Sequence, residues 1–560
     1  MNARWTLLAT TLALCSACSR PAPESATPAA KETEAVAEPA ATGYTPTAVF
    51  CADPAVSDLC SVIPSFIGPD PALKAFGYQG LSDQVTSPEN DAQSPFDNMA
   101  WQMFVALNWQ ASQPGGDPAT GLNGQGPVVW QSYARPEDVF GGPSGQCDNP
   151  KNLPRFNLIA KSAAQGSRDE EFLQATGQPL IDANGNWTLF ERRLNEVEQN
   201  YLVSQGLTTW QGQKKFIQGG GSVLFPPGDS SKTNGAVGAI ELKASWRILS
   251  PSEVANYFSI PALLDVEGVY VEGGQDLCAE VTLGLVGLHI IQANAELGAL
   301  KPQFIWASFE HVGNAPLAAQ ACDPVDNNCY KNIPNNNCPA PPNAGNFSFY
   351  QQACSALPVN TPPQLGTDQI AFVWQNQPPY AGAYTTNSGG AQCGTQVARC
   401  WDIYDLTQDL NSAWQQQLSA IGSVFANYQL IGTNWGAAIE PEIGKLDNNA
   451  VPAFLGNSTM ETYIQSDPTV GNCVGCHSFA TLAYQSTDAK CNPVTYSANF
   501  SFLPGLATPK ICTDINAGPI WNNEEAQCTC PKVCSDQNQQ WNGQWTTTQP
   551  GVMSVCGCCG

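Results

Sequence analysis

Apolar and polar positions along the chain change period three times. Over 95–111, Trp101, Phe104, Val105 and Leu107 recur at helical spacing behind the possible cap Asp97, which predicts a helix. Residues 190–204 repeat that spacing through Leu194, Val197 and Tyr201. From 236 to 311 the period falls to two. Ile240, Leu242, Ala244, Trp246 and Ile248 alternate with Glu241, Lys243, Ser245 and Arg247. Further strands are expected at 268–272, 280–291 and 303–310, giving an antiparallel meander with one covered face. A third helix is expected over 406–426, on the stripe Leu406, Leu410, Trp414, Leu418, Ile421 and Phe425, with a strand from Tyr428. Residues 320–366, rich in Pro, Asn and Cys, read as a long surface loop stapled most simply as Cys322–Cys329 and Cys338–Cys354. The expected fold class is α+β: a main domain over 45–450 with an antiparallel sheet and packed helices. No tandem repeat is visible.

Composition narrows the compartment and the partners. Forty-eight acidic against 23 basic side chains, a net charge of −25, disfavour binding to nucleic acid or anionic lipid by charge. Twenty-two cysteines point to an oxidising compartment. The N-terminus agrees: Arg4 precedes the apolar run 5–14, which is too short to span a bilayer. Leu14-Cys15-Ser16-Ala17-Cys18 resembles a bacterial lipoprotein cleavage box, which implies lipidation at Cys18 and, with Ser19 following, sorting to the outer membrane. The alternative is ordinary signal cleavage nearby. Residues 19–43 carry almost no large apolar side chain, and 19–44 read as a disordered tether, leaving an extracytoplasmic protein held to the membrane through a lipid anchor only.

One cysteine pair stands apart, in Cys473-Val-Gly-Cys476-His477 within an expected segment 451–512. C-x-x-C-H is the attachment signature of c-type haem: the thiols add to the vinyl groups and the imidazole ligates iron. The chain has only three histidines, so a chance His after a C-x-x-C is improbable. The other reading is a short-loop disulfide. Small cytochrome c domains supply a Met several tens of residues later, whereas 478–512 holds neither Met nor His. Candidate distal ligands therefore lie upstream. His311, where strand alternation ends, ranks first. His289, in an apolar strand-like run, and Met460, opening a short helix after Asn457-Ser458, rank lower. An open sixth site is the remaining option. Trp101-Gln-Met-Phe-Val-Ala-Leu-Asn-Trp109, Gly284-Leu-Val-Gly-Leu-His-Ile290 and Ser458-Thr-Met-Glu-Thr-Tyr463 resemble stretches of exported bacterial cytochrome c family proteins, which implies haem but no particular reaction.

The C-terminus carries Ala517-Gly-Pro-Ile-Trp521-Asn-Asn523, Gly543-Gln-Trp545-Thr-Thr547 and Met553-Ser-Val555. This order resembles the repeat unit of the small mannan-binding lectin family. The resemblance implies a small β-rich module over 513–560 that binds mannose- or N-acetylglucosamine-containing glycans, with Trp521, Asn523, Gln544, Trp545 and Thr546 as candidate sugar contacts. Lectins of the family carry two repeats; one is visible here. Six cysteines (528, 530, 534, 556, 558 and 559) crowd the stretch, so disulfides are expected to stand in for core size.

Neither a P-loop nor a G-x-S-x-G motif is present, and three histidines leave little scope for a multi-His metal centre. Three functions remain. The first is a tethered haem c protein passing electrons between a redox partner protein or small-molecule donor and acceptor, docked on polysaccharide by its tail. The second is a peroxidase- or oxygenase-like haem oxidoreductase with an open distal site. The third is a haem-free sugar-binding surface protein in which Cys473 and Cys476 pair.

Overall fold

The computed structural model describes residues 59–560 apart from 66, 68–92, 125, 143–144, 159–170, 175, 230–234, 295–302, 325, 327–328, 334–336, 364–372, 383–384, 387–389, 436–451, 489 and 508–511. The signal segment, Cys18 and the tether lie outside the described residues.

Among the described residues, helices α1 (Ser94–Leu107), α2 (Pro118–Gly121) and α3 (Pro136–Phe140) come first, followed by strands β1 (Arg155–Leu158) and β2 (Leu189–Leu194). Helices α4 (Glu196–Ser204) and α5 (Trp210–Gln218) lead to β3 (Ile240–Ile248), β4 (Ser259–Val266), β5 (Leu277–Asn294) and β6 (Gln303–His311). Strands β7 (Leu317–Cys322), β8 (Thr385–Thr386), β9 (Gln392–Cys393) and β10 (Arg399–Trp401) precede helix α6 (Asp405–Ala420) and strand β11 (Tyr428–Asn434). The sheet order is β1-β4-β5-β3-β2, with β6 joining β5 to β11. Every pairing within it is antiparallel except β1 with β4. The 18-residue β5 is its spine. One edge of β5 pairs with β3, and the other with β4 and then β6.

Period two is borne out on β3, but both faces are covered, not one. The apolar row Leu242, Ala244 and Trp246, with Leu288, Ile290, Ile305 and Phe309, packs in a core with residues of α1 and α6. Trp101 meets Phe309 edge to face at 5.0 Å and stacks with Trp414 at 5.9 Å. The opposite row carries Glu241, Ser245, Gly287, His289, Trp306 and Ser308, and residues 453–507 lie over it. The architecture is therefore mixed helix and sheet, with a disulfide-rich C-terminal module.

Several expectations are corrected. Residues 190–204 form a strand then a helix, because Leu189–Leu194 pairs with β3 and Asn195 caps the helix that follows. The expected strand 268–272 is a 3-10 turn, and β4 lies ahead of it. The expected helix 406–426 stops at Ala420, and a separate 3-10 turn holds Phe425. Met460 opens no helix, since 458–466 run as turns. Cys322–Cys329 forms as expected, but Cys338 pairs with Cys400 and Cys354 with Cys393. The parallel pairing of β10 with β7 brings Cys400 into the loop region, so contact along the chain loses to contact across it.

Candidate functional site

Cys473–His477 forms a five-residue helix, α7, placed by two asparagines. Asn472 Oδ1 accepts from the Gly475 N–H at 2.7 Å, a local cap, and Asn434 Oδ1 at the end of β11 accepts from the Val474 N–H at 3.0 Å. Val474 inserts among Ile291, Phe304, Trp306, Phe500 and Leu503. Burial pushes both thiols up, Cys476 to about 11, and the neighbouring Glu461 carboxylate adds to the effect. These two are the free cysteines among the described residues.

His477 Nδ1 lies 2.6 Å from the Phe500 carbonyl. A carbonyl only accepts, so Nδ1 carries the proton and the Nε2 lone pair is available to a ligand. Burial pushes this ring down to about 4, and the charges of His289 and Lys243 act the same way, so it is neutral at physiological pH. Trp306 approaches it at 6.1 Å and Phe502 at 5.2 Å between ring centroids. Phe479 and Phe502 are both exposed beside it.

The three proposed distal residues separate. His289 lies on the sheet face that α7 covers, between Lys243 on β3 and Ser308 on β6. Its Nε2 is buried and makes no hydrogen bond, although Glu461 Oε2 stands 3.4 Å away. Burial pushes the Glu461 carboxyl up, but His289, Lys243 and the Asn457 N–H outweigh that and hold it below the usual range. His311 is not brought to the site. Its Nε2–H donates to Asn256 O at 3.0 Å and its Nδ1 accepts from the Gly313 N–H at 3.0 Å, while the ring stacks on Tyr257 at 4.1 Å. Both nitrogens are satisfied, so no lone pair is left for a metal. Met460 is fully buried under Gly287 and packs as core.

On this face Trp306 Nε1 is buried without a hydrogen-bond partner, and His289 Nε2 has the Glu461 carboxylate 3.4 Å away. An orphaned buried donor costs about 1–3 kcal/mol, so an apolar layer that keeps the Trp306 N–H unpaired beside two free thiols suits a group that supplies an acceptor. The donor set fits haem c, with thiols for thioethers, an oriented imidazole and a second imidazole on the sheet face that α7 covers. Among the described residues, no group of three or more His, Cys, Asp or Glu is placed to hold a metal ion directly. The signal in the sequence for the position of His289 was its place in the middle of the β run, where the sheet face opposite the apolar row carries polar side chains.

The C-terminal module is built from β14 (Cys512–Gly518), α8 (Asn523–Asp536), β15 (Gln540–Gln549) and β16 (Met553–Cys559), with sheet order β14-β16-β15; the short strands β12 (Ser486–Thr487) and β13 (Pro493–Val494) precede it. Cys530 and Cys534 stand four apart on one helix face, and Cys556 and Cys558 stand two apart on one strand face. The pairs Cys530–Cys556 and Cys534–Cys558 follow from that geometry. Cys512–Cys559 closes the sheet, and Cys491–Cys528 ties the module to the β12–β13 loop.

The suggested sugar contacts divide between two faces. Trp521 is 69% exposed, beside the turn at Gly551. Asn523 Oδ1 accepts from Trp545 Nε1 at 3.0 Å, so these two form one rim with the indole held in place. Thr546 alternates with Trp545 along β15 and faces away from α8, and the exposed Gln544 sits in the bulge between Trp541 and Trp545.

Residues 523–558 match the family model described as mannan-binding protein. Lectin MVL of Microcystis viridis is 46% identical over 43 residues, which make up 8% of this chain and 38% of that lectin. The chain thus spans under two fifths of the length of the curated relative it matches. No solved structure matches the chain.

Proposed function

We propose that this chain is an exported haem c protein that transfers single electrons and docks on mannose-type glycans through its C-terminal module. The observation that carries the haem reading is the hydrogen bond from His477 Nδ1 to Phe500 O. It orients Nε2 on the same short helix that holds the two free thiols. When bound, haem c supplies a one-electron Fe(III)/Fe(II) couple. The protein residues then have defined roles. Cys473 and Cys476 would anchor the group, His477 would offer its Nε2 to the iron, and His289 would be available as a further nitrogen donor. Val474, Ile291, Phe304 and Phe500 exclude water, and Trp306 Nε1 offers a hydrogen bond to an acceptor on the group.

A second reading has a specific observation behind it. Glu461 Oε2 lies 3.4 Å from the His289 nitrogen that would ligate, so the two side chains can instead work as an acid–base pair beside an open iron position. Export to an oxidising compartment is supported by the disulfides, and lipidation at Cys18 remains part of the proposal.

The test is the pyridine haemochrome spectrum of full chain made in a periplasm with c-type maturation. A c-type signal that disappears in C473A/C476A supports the reading. Its absence from the wild type leaves the haem-free alternative. Low-spin six-coordinate iron that turns high-spin in H289A supports axial ligation; high-spin iron in the wild type supports the open site.

For the tail, full chain is expected to bind immobilised mannan. W521A is expected to lose at least tenfold in affinity with an unchanged melting temperature, because this exposed indole stacks on sugar and packs little. Silence of the wild type toward mannosides would remove docking.

A further inference from the structure

The segment that covers the sheet reaches a pair of buried carboxyl groups that the proposed function does not use, through a hydrogen bond from Ser501 to Glu241. Glu198, on α4, is wholly buried, and neither of its carboxyl oxygens has a hydrogen-bond partner. Its electrostatic neighbour is Glu241 on β3, only 5% exposed. The Ser501 hydroxyl donates to Glu241 Oε2 at 2.7 Å. Ser501 directly follows Phe500, whose carbonyl fixes His477. Two carboxyl groups in one dry site cannot both ionise cheaply: desolvation and mutual repulsion favour keeping a proton. Burial pushes both groups up, most strongly Glu198. The charges acting on Glu241 are Arg192 from β2 and Lys243 from β3, and both favour its anion. Lys243 also acts on His477, as do His289 from β5 and Glu461 from the covering segment.

We infer that Glu198 and Glu241 form a buried proton-binding pair coupled, through Ser501 and Phe500, to the oxidation state at His477. This rests on the haem reading above. When the site accepts one electron from a reduced donor, one positive charge is lost nearby. The pair then holds its anion less well and takes one proton from solvent, so electron and proton balance. Reduction that consumes a proton is disfavoured as pH rises, so the potential falls with pH.

The experiment is a spectroelectrochemical titration of haem-loaded full chain, with soluble mediators, from about pH 5 to about pH 9. The wild-type potential is expected to fall with pH, with a limiting slope of about 59 mV per pH unit, tenfold per unit for one proton per electron. E198Q is expected to flatten that slope while keeping the haemochrome spectrum, and E241Q provides a second variant should E198Q misfold. In the infrared, the wild type at neutral pH is expected to show a protonated-carboxyl C=O band that E198Q lacks, whether or not haem is attached. A loaded wild type with a flat potential overturns the coupling alone. A missing carboxyl band overturns the proton-binding pair. Absence of any haemochrome signal removes the haem reading and the coupling with it.

Discussion

His477 and His311 are both pushed down to about 4 by burial, yet only one has a nitrogen to spare. The difference lies in their partners. His477 gives one nitrogen to a carbonyl, while His311 spends both on the backbone. His311 therefore serves stability, with a definite sign. Its folded pKa is depressed, so between about pH 6.5 and about 4 the unfolded chain binds the proton more tightly, and stability falls as pH drops through that window. H311Q is expected to lower the urea midpoint at pH 7 and to flatten its decline toward pH 4.5. An equally steep decline in the variant would assign the acid sensitivity to other groups. Sequence picked out the three histidines by scarcity, but ring orientation depends on carbonyls far along the chain, such as Asn256 and Phe500, and no local pattern encodes it.

At the scale of elements, a glycine governs how the covering segment meets the sheet. A Cβ on Gly287 would lie 2.5 Å from Ser245 Oγ, 2.7 Å from Thr459 Oγ1 and 3.0 Å from Met460 Cε. Ser245 and Thr459 hydroxyls bond across this junction at 2.7 Å, so the close approach holds β3 and β5 against the 458–463 turns. G287A is expected to cost about 1–3 kcal/mol by overpacking. It should also raise hydrogen exchange around 458–463 while α1 and α6, on the other face, stay protected. Uniform loss of protection would contradict the layered packing. Period two on β3 and helical period on α1 and α6 were readable, because one face of each meets an apolar core. The split at Asn195 was not, because Leu189–Leu194 is a strand through its pairing with β3 and its own residues fit either period.

Across the whole molecule, the stretches Trp101–Trp109, Gly284–Ile290 and Ser458–Tyr463 are layered about one sheet. α1 packs on one face of the sheet, the Gly284–Ile290 run is its central strand, and Ser458–Tyr463 covers the other face beside Cys473. The lectin-like module is fastened to that covering layer by Cys491–Cys528, and Lys214 on α5 donates to Ser535 O at 3.0 Å. Glycan docking is thus expected to hold the His477 site at a fixed stand-off. In C491S/C528S the module should keep its mannan affinity but be cut away faster by limited proteolysis than in wild type. Equal cleavage rates would show that the disulfide adds no restraint.

Sequence alone determined the chemistry available: the Cys473-Cys476-His477 trio, the tryptophan-bearing tail and a supply of 22 cysteines. These are local facts, carried by residue types at short spacing. Tertiary structure decided everything that depends on which distant groups meet. It placed His289 on the sheet face that α7 covers, spent both nitrogens of His311 on the backbone, paired Cys338 with Cys400, and buried Glu198 and Glu241. The reason is physical: the sheet sets register between strands tens of residues apart, and one residue of register decides which face a side chain occupies.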